Sequence, residues 1–462
     1  MKKSTQLHPF QLSRLFPILI VFFTLMGTQF MLPLDLMGRT IYLYYAEILM
    51  VALFAAVMLY MLIKRQKPVF TTMQWLLPAA FIVWFVILTA YRFVTFGDLT
   101  GGFINFRVLI FPILLVLALK QLNASKKDIM YGIFLFATVM NIYQVCSVFI
   151  SHSFRAVLAL QNINIYLCFM LAVLPLLFMM LKHFTHKSKT LCILVRILLV
   201  FNILSILVFT FFSGSRLAIA VLPISFVAAF LLMFGFSGKA FLKLGALLLA
   251  FIVVVTVVLS CNTYDSRYNV SRTYAEVFSA LNIRLPDKNP APAPAPAPDP
   301  DTPAVPDTEK PDVSDQIAVE NNVSDSNTMR ELLWEKSIAH IKESPFWGRT
   351  SVDVEIEMNF IGLDTPVKVI QSPHNFILEG WMALGLPGLL LYGAIIITAI
   401  ISILRKKIKL SAKITLFVIL FAVFGFSFFQ PLVTCYFAIS LILWFVLYLY
   451  SENDAVTIPQ KN

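Results

Sequence analysis

The sequence predicts an all-α protein that crosses a membrane about twelve times. Of its 462 residues, 59% are hydrophobic and only 13% are charged, with a mean hydropathy of +0.82. Soluble domains carry about 25% charged residues, so this composition excludes a water-soluble globule. Apolar runs of about 20 residues, the length that a helix needs to cross a bilayer, recur along the chain.

The predicted spans divide the chain into four parts. Twelve apolar runs lie at about 15–34, 41–63, 73–96, 103–119, 128–150, 160–181, 190–212, 216–234, 241–260, 374–403, 413–431 and 433–450. We therefore expect spans 1–9 within 1–260, a large extracytoplasmic loop at 261–373, spans 10–12 within 374–450 and a cytoplasmic tail at 451–462.

Basic residues predict the orientation, because loops rich in Lys and Arg stay on the cytoplasmic side. With the N-terminus inside, every inner segment carries Lys or Arg, from Lys2 and Lys3 to the cluster at 405–413. The short outer loops show only Arg39 and Arg155, with Arg216 at a boundary. Both termini are therefore expected in the cytoplasm.

The net charge of +11 follows from this topology. The outer segment 261–373 carries 10 basic and 18 acidic residues, so the basic excess lies in the membrane part of the chain. The topology of the chain in the lipid bilayer explains that excess, and nucleic acid is not needed as a partner. The five Cys residues show no paired spacing, which excludes a disulfide framework and a Cys-based zinc site.

The outer segment has two parts. Residues 286–327 are rich in Pro, Ala and Asp and predict a disordered tether. Residues 328–344 predict an amphipathic helix with Trp334 on its apolar face and Arg330 one turn earlier, ending before Pro345. Two short strands are expected near 351–357 and 366–370.

Five ionisable residues fall in or beside the predicted spans, where a charge is costly and requires a partner or a function. They are Glu47, Arg92, Arg107, Arg216 and Glu379. Arg92 lies near an outer end and can snorkel to the interface. Arg107 either pairs with Glu47 or faces a water-filled cavity, and Glu379 is expected to be a packing partner.

The sequence Ser213-Gly214-Ser215-Arg216 predicts a tight outer turn that places a guanidinium at the N-terminus of the next helix. Backbone N–H groups, the helix dipole and Arg216 suit an anion, phosphate above all. The alternative is an interfacial arginine that contacts lipid headgroups.

A second motif begins at Ser372-Pro373-His374. Ser372 is the expected N-cap of the tenth span, with His374 in its first turn at the outer surface. Gly385 and Gly388 follow and allow a close helix crossing. His374 is either a general base or an interfacial histidine bonded to the backbone.

Together these motifs resemble those of the bacterial O-antigen ligase and O-antigen polymerase superfamily. The resemblance is carried by the turn at 213–216, the loop helix from Arg330 through Trp334 to 345–348, and the His374-Asn375 start followed by 384–388. Their order also matches, with the large outer loop just before the span that begins at His374.

The resemblance implies a GT-C-like glycosyltransferase in the bacterial plasma membrane. It would move a glycan from undecaprenyl pyrophosphate to an acceptor hydroxyl, without a nucleotide sugar, a metal or another cofactor. By analogy with the family, Arg216 and Arg330 engage the pyrophosphate and His374 the acceptor hydroxyl. The further candidates for substrate binding are Ser215, Arg107, Trp334 and Asn375.

The acceptor stays open at this point. A polymerase would use a second lipid-linked glycan and a ligase would use another lipid, a protein or a wall polymer; we favour polymerase because the outer loop identifies no particular acceptor. The alternatives from other classes are a transporter or flippase of lipid-linked polysaccharide and a non-catalytic scaffold.

Overall fold

The computed structural model describes residues 12–36, 39–65, 72–97, 103–151, 163–185, 188–213, 215–234, 329–349, 351–358, 367–406, 410–429 and 437–451, with a few positions between 237 and 253. Most of the predicted ninth span, the tether at 286–327 and the tail beyond 451 lie outside the described residues.

The described chain is mostly helical. Its helices are α1 (Leu12–Gly27), α2 (Tyr45–Lys64), α3 (Thr72–Phe96), α4 (Phe103–Gln121), α5 (Lys126–Ser151), α6 (Ile163–His183), α7 (Lys189–Phe212), α8 (Arg216–Phe234), α9 (329–343), α10 (Phe376–Leu404), α11 (Leu410–Phe429) and α12 (Phe437–Ser451).

Two short antiparallel hairpins accompany the helices. Strands β1 (Met31–Leu36) and β2 (Arg39–Tyr44) pair between α1 and α2, and β3 (Val354–Met358) pairs with β4 (Val367–Gln371). The second pair is the one that the sequence predicts. The first pair shows that the prediction of a span 1 that continues to residue 34 is wrong, since α1 ends at Gly27. Pro33 has no N–H to donate to a helical hydrogen bond, and the β-branched and aromatic residues at 40–44 favour a strand.

Helix α6 forms the centre of the bundle. Every residue from Ile165 to Leu177 is buried, and α6 packs against α5, α7, α8, α11 and α12. A helix that is apolar on all sides and buried on all sides belongs in the interior of a bundle.

The outer surface of the bundle is apolar. Six described helices, α2, α3, α5, α6, α7 and α10, are long and apolar enough to cross a membrane, and α1, α8, α11 and α12 contain shorter apolar segments. Large apolar side chains are exposed, with 74% of Leu62, 84% of Val94 and 76% of Phe149 accessible. Such a surface suits lipid, so the prediction of a multi-pass helical membrane protein is confirmed.

The chain divides into two compact units. The first contains Met1–Leu244, Leu332–Ile356 and Lys368–Asn462, and the second contains Gly245–Glu331 and Glu357–Val367. Helix α9 begins in the second unit and continues in the first. The contacts described below are contacts within the first unit.

The helix termini in the first unit separate by charge. Lys and Arg lie at the end of α2, α4, α6 and α10 and at the start of α5, α7 and α11, an end of the bundle that we call the basic end. At the opposite end α6 begins near the Ser213–Ser215 turn, where the Ser215 hydroxyl donates to Asn164 Oδ1 at 2.9 Å. Helix α10 also begins there, since Phe376 packs against Phe428 near the end of α11.

Buried amides join three helices of the bundle. Asn141 of α5 donates from Nδ2 to Asn202 Oδ1 of α7 at 2.5 Å, and the Tyr166 hydroxyl of α6 donates to Asn141 Oδ1. Asn202 donates in turn to Thr138 Oγ1 at 2.8 Å. Interhelical hydrogen bonds of this kind specify which helices associate where the surroundings are apolar.

We predict that Asn141→Leu lowers the thermal stability of the purified protein, because it leaves the amide of Asn202 and the hydroxyl of Tyr166 without that buried partner. The expected loss is about 1 kcal/mol, measured as a lower unfolding midpoint in detergent. Ile142→Leu is the matched control, since the Ile142 side chain is 46% exposed on the same helix. Equal midpoints for the Asn141 variant and the wild type would contradict a stabilising role.

Candidate functional site

The turn between α7 and α8 is held by its two serines. Ser215 N donates to Ser213 Oγ at 3.3 Å, and Ala218 N donates to Ser215 Oγ at 3.4 Å. Ser215 is therefore the N-cap of α8, and Arg216 is the first helical residue, as the sequence predicts. Gly214 and the side chain of Arg216 lie outside the described part of the structure.

Asn164 is a partner of this turn that the sequence analysis missed. It lies in the first turn of α6 and accepts a hydrogen bond from the hydroxyl of Ser215. The signal in the sequence is a single Asn at the start of an apolar run, which does not reveal its partner 51 residues away. The contact ties the anion-binding candidate at α8 to the central helix.

His374 precedes helix α10 in a left-handed conformation. Its φ is +52°, and the helix begins at Phe376 with Asn375 as N-cap, whose Oδ1 accepts from Ile377 N at 3.0 Å and from Leu378 N at 3.3 Å. The prediction that Ser372 caps this helix and that His374 lies in its first turn is therefore wrong. The Asn375 side chain accepts from two amides of the first turn, so the cap lies three residues later than the sequence predicts.

The conformation of His374 carries strain. Left-handed backbone is unusual for a residue with a Cβ and costs about 1–3 kcal/mol. The two other described non-glycine residues with positive φ, Arg65 and Asn123, follow helix C-termini, where this conformation is common. His374 instead lies just before a helix N-terminus, where its side chain is half-buried. Strain that the surroundings enforce in this way is typical of functional positions.

Helix α9 reaches the His374 segment through a tryptophan. The indole Nε1 of Trp334 donates to the carbonyl of Pro373, the residue before His374, at 2.7 Å. Leu333 and Ser337 on the same helix are fully buried. The structure thus brings the Trp334 and His374 motifs together. Arg330 lies one turn before Trp334 on α9, half-buried, and belongs to the second unit.

Helix α10 is broken at Gly385. That residue has φ +66° and ψ +170°, so the half-helix 376–384 ends there and a second half follows. The segment 345–349, which follows α9, packs into the break. Leu386 N donates to Pro345 O at 3.1 Å, Arg349 N donates to Met382 O at 2.6 Å, and the Trp381 indole donates to Pro345 O at 2.8 Å.

Two glycines make this close approach possible. A Cβ on Gly385 would collide with Phe346 O, and one on Gly348, with φ +65°, would collide with Met382 O. The sequence prediction that Gly385 and Gly388 allow a close approach is correct, although the partner of Gly385 is not a helix. The partner of Gly385 is the loop segment, whereas Gly388 lies against the indole of Trp84 on α3.

The remaining ionisable candidates are buried. Arg107 Nη1 lies 3.0 Å from Glu47 Oε2, so of its two predicted environments the structure shows the ion pair. Arg92 is 1% exposed and donates to main-chain carbonyls, so the prediction that it snorkels to the interface is wrong. Glu379 is fully buried near the start of α10. Among the described residues, no three His, Cys, Asp or Glu side chains gather into a metal site.

Gly385→Ala is predicted to reduce folding strongly, because alanine at this position combines left-handed strain with a collision against Phe346 O. We expect a loss of at least about 2 kcal/mol, measured as lower yield and a lower unfolding midpoint in detergent. Gly393→Ala is the matched control on the same helix, where a Cβ would contact nothing within 4 Å. Equal behaviour of the two variants would rule out the tight junction.

The comparison with protein families agrees with the order of these motifs. No curated protein matches the chain. The model of the O-antigen ligase family matches residues 200–393, a stretch that contains the serine turn, α9 and the break in α10. The superfamily that the three sequence motifs indicate is therefore confirmed.

Proposed function

We propose that this protein is a glycosyltransferase that moves a glycan from undecaprenyl pyrophosphate to an acceptor hydroxyl at the outer face of the bacterial plasma membrane. The O-antigen ligase domain supports a membrane glycosyltransferase at the family level. The observation that carries the proposal further is the strained His374, held between the Trp334 contact to Pro373 O and the Asn375 cap.

The proposed reaction is a single displacement at the anomeric carbon. The acceptor oxygen forms the new glycosidic bond while the bond between the anomeric carbon and the pyrophosphate oxygen breaks. His374 accepts the hydroxyl proton, and polyprenyl pyrophosphate leaves with the electron pair of the broken bond. A single displacement inverts the configuration at the anomeric carbon.

The leaving group requires positive charge, since a pyrophosphate gains charge as the glycosidic bond breaks. We assign this role to Arg216 at the N-terminus of α8 and to Arg330 on α9. The Ser215 cap leaves the first amides of α8 directed toward the same end of the bundle as His374. Two arginines in these roles would remove the need for a divalent metal ion.

The other candidate residues divide into two groups. Trp334 and Asn375 contact the main chain beside His374, so their proposed contribution to binding includes the orientation of that segment. Ser215 does the same for the start of α8. Arg107 is proposed as a substrate contact on the sequence alone, and its pairing with Glu47 favours a structural contribution.

The distribution of charge supports the proposed orientation. The basic end of the bundle lies opposite the His374 segment and the Ser215 turn, and positive residues favour the cytoplasmic side. The site would then face outward, together with the segment 261–373, with both termini in the cytoplasm. Lipid-linked glycans assembled for the cell surface would reach it from the outer leaflet.

Single replacement of His374, Arg216 or Arg330 by Ala is expected to lower product formation by about 100-fold or more, because each removes a group that acts on the transition state. The assay incubates purified protein with a synthetic polyprenyl-pyrophosphate glycan and candidate acceptors and follows the gain in acceptor mass. His340→Ala is the matched control, since His340 lies on α9 and pairs with the exposed Glu343. Normal product from all three variants at equal membrane levels would refute these roles.

Deletion of the gene separates the possible acceptors. Accumulation of single lipid-linked repeats is the outcome expected for a polymerase, which we favour, and full-length polymer retained on its lipid is the outcome expected for a ligase. The measurement is the chain length of lipid-linked glycan extracted from the cells. Purified protein that moves lipid-linked glycan across a vesicle membrane but never joins glycans would replace both with a flippase.

A further inference from the structure

The break in α10 removes the normal partners of two carbonyls. In an unbroken helix, the carbonyls of Met382 and Ala383 would accept from the amides of residues 386 and 387. Leu386 N donates instead to Pro345 O, and residue 387 is a proline without an N–H. A carbonyl without a partner in an apolar environment costs several kcal/mol. This position therefore requires other donors.

Helix α3 supplies most of these donors. Arg92 Nη2 lies 2.9 Å from Ala383 O and 3.3 Å from Met382 O, and the indole of Trp84 donates to Leu384 O at 2.7 Å. Arg349 N provides a further donor to Met382 O. The positive charge of Arg92 also complements the negative end of the half-helix dipole.

The same guanidinium binds the loop segment. Arg92 Nη2 lies 3.2 Å from Trp347 O, and the Trp347 ring stacks on Tyr91 and Trp84 of α3, with centroid distances of 4.2 and 5.6 Å. One side chain of α3 thus contacts both the half-helix 376–384 and the segment 345–349.

Helix α9 and the segment after it contact the half-helix 376–384 at both of its ends. Its start follows His374, whose neighbour Pro373 is bound by Trp334 of α9, and its end is bound by the segment that continues from α9. Helix α9 and the half-helix therefore form a pair joined at two points. Arg92 attaches that pair to the transmembrane bundle.

We propose that Arg92 is a positioning residue. Its guanidinium binds Ala383 O, Met382 O and Trp347 O together and thereby holds the half-helix 376–384, which follows His374, and the segment 345–349 in one arrangement. This inference rests on the proposed function for its effect on transfer. Arg92 lies outside the residues 200–393 that match the ligase family, on a helix to which that match assigns no role.

The test combines enzyme kinetics with the accessibility of a buried position. Arg92→Ala, Arg92→Gln and Arg92→Lys are made in the full-length chain with its five Cys replaced and with Ser337→Cys as a reporter. Ser337 is fully buried on α9, so a membrane-impermeant maleimide should label that thiol slowly while α9 remains docked. Ser351→Cys, at an exposed position, is the control that gives the labelling rate of an accessible thiol while α9 is docked.

We expect Arg92→Ala and Arg92→Gln to lower kcat by about 100-fold, since small displacements of a reacting group have effects of that size. The KM for the lipid-linked donor should stay nearly unchanged, and labelling of the Ser337→Cys thiol should become about tenfold faster. Arg92→Lys should retain part of the kcat and part of the protection from labelling, because it keeps the charge. Phe93→Leu, at a neighbouring exposed position on α3, should change neither.

Three results would overturn the proposal: unchanged labelling in Arg92→Gln, unchanged kcat despite faster labelling, or a raised donor KM with normal kcat, which would indicate direct substrate binding. If Arg92→Ala does not accumulate, Arg92→Gln and Arg92→Lys give the same comparison. A wild-type protein that transfers no glycan would contradict the proposed function, whereas its labelling rates would still decide whether Arg92 holds α9 in place.

Discussion

The arrangement of the ligase domain depends on how main-chain carbonyls are satisfied at the break in α10. Lipid offers no hydrogen-bond donors, so a helix can be interrupted at membrane depth only where protein supplies them. Here a guanidinium, an indole and a main-chain amide take that role for residues 382–384. The requirement explains why Arg92, an arginine of α3, is buried against the break. The close approach of the segment 345–349 explains why two glycines occupy the junction.

Tryptophan side chains of three helices, α3, α9 and α10, provide donors of the same kind. The indoles of Trp84, Trp334 and Trp381 each donate to a main-chain carbonyl of another segment, at 2.7–2.8 Å. Trp combines a large apolar surface with one donor, which suits a boundary between a polar loop and an apolar bundle. Two of these bonds hold main-chain carbonyls before and after His374, at Pro373 and Leu384, so they position the backbone rather than the imidazole itself. The Trp334 bond to Pro373 O and the Asn375 cap flank the strained His374.

The family assignment and the geometry support the proposed function in different ways. The match over residues 200–393 identifies an O-antigen ligase domain. The structure adds that the His374 segment, Trp334 and the Ser215 cap all lie in the unit whose opposite end carries the basic residues. A donor whose pyrophosphate lies at the membrane surface and whose glycan extends outward fits this polarity. The roles of Arg216 and Arg330 remain part of the proposal.

The sequence alone determined that the chain lies in a membrane, that it is helical, the order of its motifs and its family. Hydrophobic run length, basic loops and local motifs are short-range properties, so they can be recognised without the fold. It also indicated that Gly385 needs a close neighbour. Only the tertiary structure decided which neighbour that is, that Asn375 caps α10, that Asn164 meets Ser215, and that Arg92 binds Ala383 across 291 positions of sequence. The sequence could not reveal these pairings, because main-chain amides and carbonyls are present at nearly every residue and a polar side chain does not indicate its partner. Their partners depend on where the backbone breaks and which helix packs against the break.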